Sequence, residues 1–238
     1  MNYAIIAAGE GSRLVQEGVK LPKPLVDLDG RPMIGRLIDI FMEHNPESLS
    51  VIVNEQMTEV ADYLRSREYP VEMRLIVKST PSSMHSFYEV SRHFKPGKFC
   101  LTTVDTIFRS DDFGRYISAF EASDADGFMA VTPFIDDEKP LYVDVDPEMR
   151  ITAFLDTPPA GGARYVSGGV YGLTAPAALD VLRDCIERGT SRMRNYQRAL
   201  VESGLNLRAY SIPKIMDVDH AGDIDKARLF INETHPLK

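Results

Sequence analysis

The sequence predicts an α/β protein built on a mostly parallel mixed sheet, and three observations predict it. Short β-branched or aromatic runs alternate with amphipathic segments through the first half of the 238 residues, the arrangement in which crossover helices join parallel strands. The opening run, Tyr3-Ala4-Ile5-Ile6-Ala7, is apolar, short and stopped by glycine, which is the signature of a buried strand. At 44% hydrophobic and 26% charged, the composition is that of an ordinary globular protein with a full core. There is no linker of Gly/Ser/Pro composition, low-complexity tract or fixed-period repeat, so residues 1–238 are expected to form one continuous domain.

The elements follow in order. Strands are expected over 3–7, 49–53, 73–77, 99–104 and 127–131, each a short apolar or β-branched run. Between the first two, Pro32 is placed to open a helix whose apolar face is Met33, Ile34, Leu37, Ile38 and Phe41. Proline suits a first turn because its missing N–H has no intrahelical partner there. Further helices are expected near 58–66, 84–93 and 112–122. The second half changes character, with neighbouring strands over 141–144, 151–155 and 165–173. Helices near 175–188 and 191–203, a strand over 207–212 and a helix over 221–230 complete the pattern.

Charge narrows the partners. With 27 Lys and Arg against 35 Asp and Glu, the formal net charge is −8. Nucleic acids and anionic membranes draw their affinity mainly from Lys and Arg, so neither is an expected partner, and an anionic ligand must be met by local cations. Cys100 and Cys185 sit in apolar surroundings at no metal-ligand spacing, which points to buried free thiols and a reducing, cytoplasmic setting. The N-terminus has neither a basic leader nor an apolar run long enough for a signal peptide or membrane span.

The chemistry is concentrated in Ala7-Ala8-Gly9-Glu10-Gly11-Ser12-Arg13-Leu14, followed by Leu21-Pro22-Lys23-Pro24-Leu25. Glycines directly after a first strand let the chain turn tightly and aim backbone N–H groups at an anion, as a phosphate cradle does. A dinucleotide fingerprint needs a third glycine where Leu14 stands, and a P-loop needs Gly-Lys-Ser/Thr, so neither pattern fits. Instead a long irregular stretch over 15–31 carries Lys20, Lys23 and Arg31 among prolines that restrict its motion.

These two motifs, in this order and at this chain position, resemble the signature of the sugar-1-phosphate nucleotidyltransferases, the NDP-sugar pyrophosphorylases. The resemblance implies a three-layer Rossmann-like nucleotidyltransferase fold. It also implies that Ala8, Gly9, Gly11 and Ser12 line the nucleotide phosphates, that Arg13 holds the departing pyrophosphate and that Lys23 meets the α-phosphate. Nucleotidyl transfer needs charge neutralised on nonbridging oxygens more than it needs a covalent catalyst, and these residues suit that demand.

The same chemistry calls for Mg²⁺, which takes a few carboxylates plus substrate oxygens. The apolar run 99–104 ends in Asp105, at the strand end where α/β sheets bind ligands, which makes that acid one metal candidate. Val104 precedes it where the family has glycine. The second candidate is Asp217 in Met216-Asp217-Val218-Asp219-His220-Ala221-Gly222-Asp223, which resembles the family's closing Asp-x-Gly-Thr-x-x-Asp-Leu element. Asp219 and His220 replace its Gly-Thr, so Asp219 either assists the ion or alters the turn. Asp223 is expected to cap the last helix, and His220 to be a polar surface residue.

Ser82 and Ser83 occupy the place of the family's Gly-Thr-Ala-type loop. They are expected both to contact the nucleotide and to cap the next helix, with His85 on that helix surface. Gly168 and Gly169 resemble the Gly-Ile-Tyr strand beneath the sugar, and a glycine pair inside a strand implies close approach or a bulge. The family's Glu-Lys-Pro is Asp156-Thr157-Pro158 here, so its phosphate-holding lysine is missing. Arg164, Arg192 or Arg194 compensates, or the acceptor is not an ordinary hexose phosphate. With no hexapeptide repeat in the sequence, no C-terminal acyltransferase domain is expected.

The sequence therefore predicts a Mg²⁺-dependent nucleotidyltransferase that joins NMP from an NTP to a sugar-1-phosphate and releases pyrophosphate. Asp156, Gly168, Gly169 and Arg194 are its expected acceptor-binding residues. Two alternatives remain, a cytidylyltransferase acting on phosphocholine or another small phosphomonoester and a non-catalytic nucleotide-sensing relative. Nicotinamide chemistry is the reading that Leu14 disfavours. The base and the formation of a homo-oligomer are left open by the sequence.

Overall fold

The strand over residues 2–7 explains the architecture. Tyr3, Ile5 and Ala7 face one apolar cluster while Ala4, Ile6 and Ala8 face another, so successive side chains are buried on opposite sides. A strand with two buried faces needs helices on both, and the molecule supplies them as three layers. The structure, a computed structural model, describes residues 1–159 and 161–233.

In chain order the first half runs β1 (Asn2–Ala7), α1 (Ser12–Gln16), a 3-10 turn (Lys23–Leu25), β2 (Asp27–Leu28), β3 (Arg31–Pro32) and α2 (Met33–Met42). It continues with β4 (Ser48–Val53), α3 (Thr58–Arg65), β5 (Glu72–Val77), α4 (Ser83–Ser91), β6 (Gly97–Thr103), β7 (Thr106–Ile107), α5 (Ser110–Ala122) and β8 (Gly127–Thr132). The second half runs β9 (Tyr142–Val145), β10 (Ile151–Leu155), β11 (Tyr165–Ala175), α6 (Ala177–Glu187), α7 (Met193–Glu202), β12 (Leu207–Ser211), β13 (Met216–Asp217) and α8 (Ala221–Asn232).

The main sheet has nine strands in the order β10-β9-β11-β6-β1-β4-β5, with β8 and β12 branching from β11. β1 pairs in parallel with β4 and β6, as β4 does with β5 and β8 with β12. β11 runs antiparallel to β6, β8 and β9, and β10 antiparallel to β9. Strands β1, β4, β5, β6, β8, β9 and β12 therefore point one way and only β10 and β11 the other, which is the mostly parallel mixed sheet that the alternating pattern predicts.

One face is covered by α2, α3 and α5, where Tyr3, Phe41 and Phe113 form a packed aromatic group. The Tyr3 and Phe41 ring centroids lie 4.4 Å apart. The other face is covered by α4, α6 and α7 through Phe87, Leu182 and Tyr196. A third, smaller cluster joins Leu14, Val26 and Leu28 of the opening loop to Ile107, Met216, Ala227 and Phe230. It fastens the first 30 residues to β7, β13 and α8.

Three expectations are corrected by the structure. Pro32 does not open a helix. It pairs with Asp27 in the β2–β3 hairpin, with φ −56° and ψ 141°, and α2 starts one residue later. A fixed φ near −65° suits both states, and a short edge strand loses little when one N–H is missing. The stretch over 15–31 contains the end of α1, the 3-10 turn and most of that hairpin, so its prolines mark defined turns. The helix expected from 175 starts at Ala177 because β11 continues through Ala175, which pairs with Gly97. Cys100 and Cys185 are buried and free, as their spacing predicts. No helix among the described residues is long and apolar enough to cross a membrane.

The glycine pair in β11 marks a break in the ladder. Register against β8 shifts between Ser167 and Tyr171. Gly169 has φ +69°, and a methyl there would lie 2.6 Å from Thr106 Oγ1 on β7. A Gly169→Ala protein should therefore lose about 1–3 kcal/mol of stability in urea unfolding. Gly161→Ala, where a methyl meets open space, should stay within about 0.5 kcal/mol of wild type. Equal stability of the two variants would remove the constraint assigned to Gly169.

Candidate active site

The carboxyl ends of the parallel strands gather the polar residues, as the peptide geometry of an open α/β sheet requires. After β1 the chain turns at Gly11, in the left-handed region at φ 62° and ψ 30°, and enters α1. A methyl on Gly11 would meet Lys23 Cβ at 2.9 Å, so glycine lets this turn press against the lysine stem. Lys23 begins the 3-10 turn between Pro22 and Pro24 and is only 9% exposed.

The burial of Lys23 leaves its ammonium dependent on nearby acids. Its Nζ lies 2.6 Å from Asp105 Oδ2 and 2.7 Å from Asp219 Oδ1. Arg13 Nη1 reaches the other oxygen of Asp219 at 2.9 Å. Asp105 stands in the turn between β6 and β7. Asp217 lies on β13, opposite Thr106 of β7, and the Val218 N–H donates to the Asp105 carbonyl at 3.1 Å. The structure thus brings Arg13, Lys23, Asp105 and Asp217 into one seam, together with Asp219.

Electrostatics divide the acids. Burial raises the Asp105 pKa, but the Lys23 ammonium more than offsets it and holds the group below the usual carboxylate range. Burial likewise opposes the Lys23 charge, and Asp105 and then Asp219 hold its pKa above the ordinary lysine value. Asp217 is pushed up to about 8, first by the protein packed around it and next by the charge of Asp105. Asp105 Oδ1 is buried and lacks a hydrogen-bond partner. Two adjacent carboxylates, one with an idle buried oxygen, form a donor set suited to a hard divalent cation. Among the described residues no group of three or more His, Cys, Asp or Glu is placed to hold a metal. Asp219 has both oxygens on Arg13 and Lys23.

Two clefts meet at this seam. The first, about 590 Å³, is lined by Ala8, Gly9, Gly11, Ser12, Ser82 and Ser83 of the predicted set, and by Lys23 and Asp105. It also contains residues that the sequence analysis missed, chiefly Asn54, Ser79, Thr80 and Ser86. Asn54 is 6% exposed, accepts from the Gln56 N–H and the Ser79 hydroxyl, and donates to the Ala8 carbonyl at 3.4 Å. Its signal was available, since it is a polar residue directly after a buried strand. Ser82 takes the N-cap position of α4, but its hydroxyl bonds His85 Nδ1 at 2.9 Å and caps no helix N–H, contrary to expectation. The hydroxyl is occupied instead by the His85 imidazole and by the Arg192 N–H, which donates to it at 3.3 Å.

The second cleft, about 320 Å³, is lined by Arg13, Gly168, Asp217, Asp219 and an acidic turn, Asp136-Asp137-Glu138. Arg13 therefore faces this cleft rather than the first. Lys226 also lines it and is engaged by Asp136 at 3.0 Å and Asp223 at 3.1 Å. Asp223 accepts the His220 and Asp219 N–H groups, which is the capping role expected of it. His220 is more than a surface residue: its Nδ1 lies 2.6 Å from Glu17, which also accepts the Ala221 N–H. The structure does not bring Asp156, Gly169 or Arg194 to the lining of either cleft. Gly169 backs onto β7, and Asp156 pairs with Arg194 and Arg198, each at 2.7 Å.

A family model described as the MobA-like NTP transferase domain matches residues 3–199. The bifunctional protein GlmU of Methanococcus vannielii is 22% identical over 224 residues, covering 88% of this chain and 51% of that protein. The chain thus spans about half the length of the curated relatives that it matches throughout. Two solved structures are similar at 18% identity, a level that speaks for the fold alone. The UDP-glucose pyrophosphorylase of Acinetobacter baumanii superposes with TM-score 0.80 over 96% of this chain and 92% of that one. The inositol-1-phosphate CTP transferase of T. maritima superposes with TM-score 0.77 over 97% of each.

The elevated Asp217 pKa makes a stability prediction with a definite sign. The folded protein holds this proton up to about pH 8, whereas the unfolded chain releases it near 3.8. Stability from the protonated carboxyl is therefore full at low pH and is lost as pH rises through that interval. In thermal unfolding with chelator present, wild type should lose stability relative to Asp217→Asn between about pH 5 and about pH 8. A constant difference between the two proteins across that range would refute the assignment.

Proposed function

The chain belongs to the MobA-like NTP transferase domain family, and from that membership we propose that it is a nucleotidyltransferase. It moves a nucleoside monophosphate from an NTP to a small phosphorylated acceptor, a sugar-1-phosphate in the leading reading, and releases pyrophosphate. The observation that carries this reading is the meeting of two clefts at one charged seam. Lys23 and Asp105 line the first cleft, Arg13 and Asp217 line the second, and the Lys23–Asp219 pair connects them.

In this reading the first cleft takes the nucleotide, with its phosphates along Ala8 to Ser12 and its base toward Ser79 to Ser83. The second takes the acceptor, with Gly168 on its floor. An acceptor phosphate oxygen forms the new bond to the α-phosphorus as the bond from that phosphorus to the β-bridging oxygen breaks. The electron pair leaves with pyrophosphate. A phosphate monoester is already anionic at neutral pH, so no side chain has to remove a proton. Lys23 and Arg13 offset the charge that grows on the α-phosphoryl and leaving oxygens.

Mg²⁺ fits the two carboxylates, because the idle buried oxygen of Asp105 and the neighbouring Asp217 offer the hard donors that it prefers. When bound it would neutralise phosphate charge and help to fix the triphosphate. Asp156 and Arg194 are assigned a supporting part at the acceptor end. Arg194 Nη2 donates to the Lys139 carbonyl, beside Glu138 and Pro140 of the second cleft.

The charge of the second cleft favours a second reading of the acceptor. Arg13 is taken up by Asp219, and Lys226 by Asp136 and Asp223, which leaves Asp137 and Glu138 in excess. A phosphomonoester that carries its own cation, such as phosphocholine, suits that field better than a hexose phosphate, whose sugar brings no positive charge to offset its phosphate.

Pyrophosphate release, measured across an NTP panel with each acceptor class, tests both readings. Release should require one NTP and one acceptor together, and Lys23→Ala and Asp217→Asn should each slow it by at least about a hundredfold. Near-normal rates in either variant would remove that residue from the mechanism, and no release with any pair would overturn the activity. In the acceptor comparison, Asp137→Asn with Glu138→Gln should raise KM for phosphocholine by about tenfold while leaving that for sugar-1-phosphates unchanged or lower. The opposite pattern would restore a sugar-1-phosphate as the acceptor.

A further inference from the structure

Asp219 is the acid that touches both cations of the opening loop. Asp105 contacts Lys23 only, whereas Asp219 gives one oxygen to Lys23 and the other to Arg13, at 2.7 and 2.9 Å. Its position is held from both sides. β13 precedes it in pairing with β7, and its own N–H donates to Asp223 at 3.2 Å at the start of α8. The carboxylate is thus aimed at the two side chains that the proposed reaction assigns to phosphate. The resembled motif has glycine at this position, so the contact is a property of this sequence.

We propose that Asp219 is an internal stand-in for the substrate's phosphates, holding Arg13 and Lys23 in the free protein and yielding them to the triphosphate and then to pyrophosphate. The inference rests on the reading of these residues as a nucleotide site. A phosphate chain brings several anionic oxygens to the same guanidinium and ammonium that one carboxylate now satisfies, and the two compete for them. Both parts are already in place when phosphate arrives. Lys23, whose side chain is 10% exposed, remains fixed by Asp105, while Arg13, at 54%, is free to swing once released. The same competition assists the product to leave, because Asp219 reclaims the cations as pyrophosphate departs. Asp219 therefore sets affinity for phosphate ligands, which neither a metal ligand nor a purely structural strap would do in this direction.

Calorimetric titration of the full chain with magnesium pyrophosphate tests the idea. Asp219→Asn keeps the shape and removes one negative charge from between the two cations. It should bind at least about fivefold tighter than wild type, and it should still unfold in one cooperative transition, at a lower temperature, because Asp105 continues to neutralise Lys23. Asp219→Ser serves as a second variant, and should tighten binding likewise. In an Arg13→Gln background the gain from Asp219→Asn should shrink, since one of the contested cations is gone.

Unchanged or weaker binding in the Asp219 variants would overturn the competition and leave Asp219 as a metal ligand or a positioning residue. Failure of both variants to fold would make it a structural strap and overturn the idea equally. If wild type neither binds magnesium pyrophosphate nor releases it from any NTP, the nucleotidyltransferase reading itself fails. If wild type does both and the variants do not tighten, only the role of Asp219 fails.

Discussion

The structure depends on keeping one ammonium charged in a place that excludes most of the water around it. Lys23 is almost fully enclosed, and burying a cation is unfavourable unless opposite charges meet it at hydrogen-bond distance. Asp105 and Asp219 do so from the end of β6 and from beyond β13, positions 82 and 196 residues away in sequence. Charge balance at Lys23 thus ties the first loop, the middle of the sheet and the closing segment together. The small apolar cluster beneath, with Leu14 and Val26 against Met216 and Phe230, supplies the rigidity that lets three short contacts persist. Glu17 repeats the device on a smaller scale by taking His220 and the Ala221 N–H at the start of α8.

The sheet determines where this balance is struck. Six of the parallel-oriented strands, β1, β4, β5, β6, β8 and β12, direct their carboxyl ends to one edge. The turn after β1, Asn54 after β4, Ser79 beyond β5 and Asp105 after β6 gather there without any of them being near another in sequence. β11 is the reversed strand that breaks the series, and its glycine pair lets β7 lie against it. That close approach places β7 where β13 can pair with it, so Asp217 arrives beside Asp105. Backbone geometry at Gly169 and the chemistry at the two acids are steps in one construction.

Much of this was legible in the sequence because it rests on local rules. Strand and helix positions follow from periodicity, and boundaries differ mainly where a cross-strand partner intervenes, as Gly97 does in extending β11 to Ala175. Arg13, Lys23, Asp105 and Asp217, which the structure brings together, are singled out in the sequence because two motifs and a strand-end acid each carry a signal of their own. The contacts made by Asp219 left no such signal, since they join residues 196 and 206 positions apart. Asn54 did carry a local signal, as a polar residue at the end of a buried strand, but its bond to the Ala8 carbonyl arises only when the ends of β1 and β4 are neighbours. The acidic turn at Asp136 to Glu138 reads in sequence as a solvated charge run, and only the fold turns it toward a cleft.

The departures from the resembled pattern point in one direction. Thr157 stands where the family has a phosphate-holding lysine, and Asp219 stands where it has glycine. Each change makes the acceptor side more negative by one charge, and the turn at Asp136 to Glu138 adds to it. A site that must hold an anionic phosphate cannot absorb such a shift without a compensating cation. Among the described residues that line the second cleft, the lysine and the arginine, Lys226 and Arg13, are engaged with acids already. In the phosphocholine reading proposed above, the acceptor supplies the compensating cation, and its positive group occupies the acidic stretch at Asp136 to Glu138. In that reading the altered residues belong to one adjustment of charge on the acceptor side of the proposed nucleotide site.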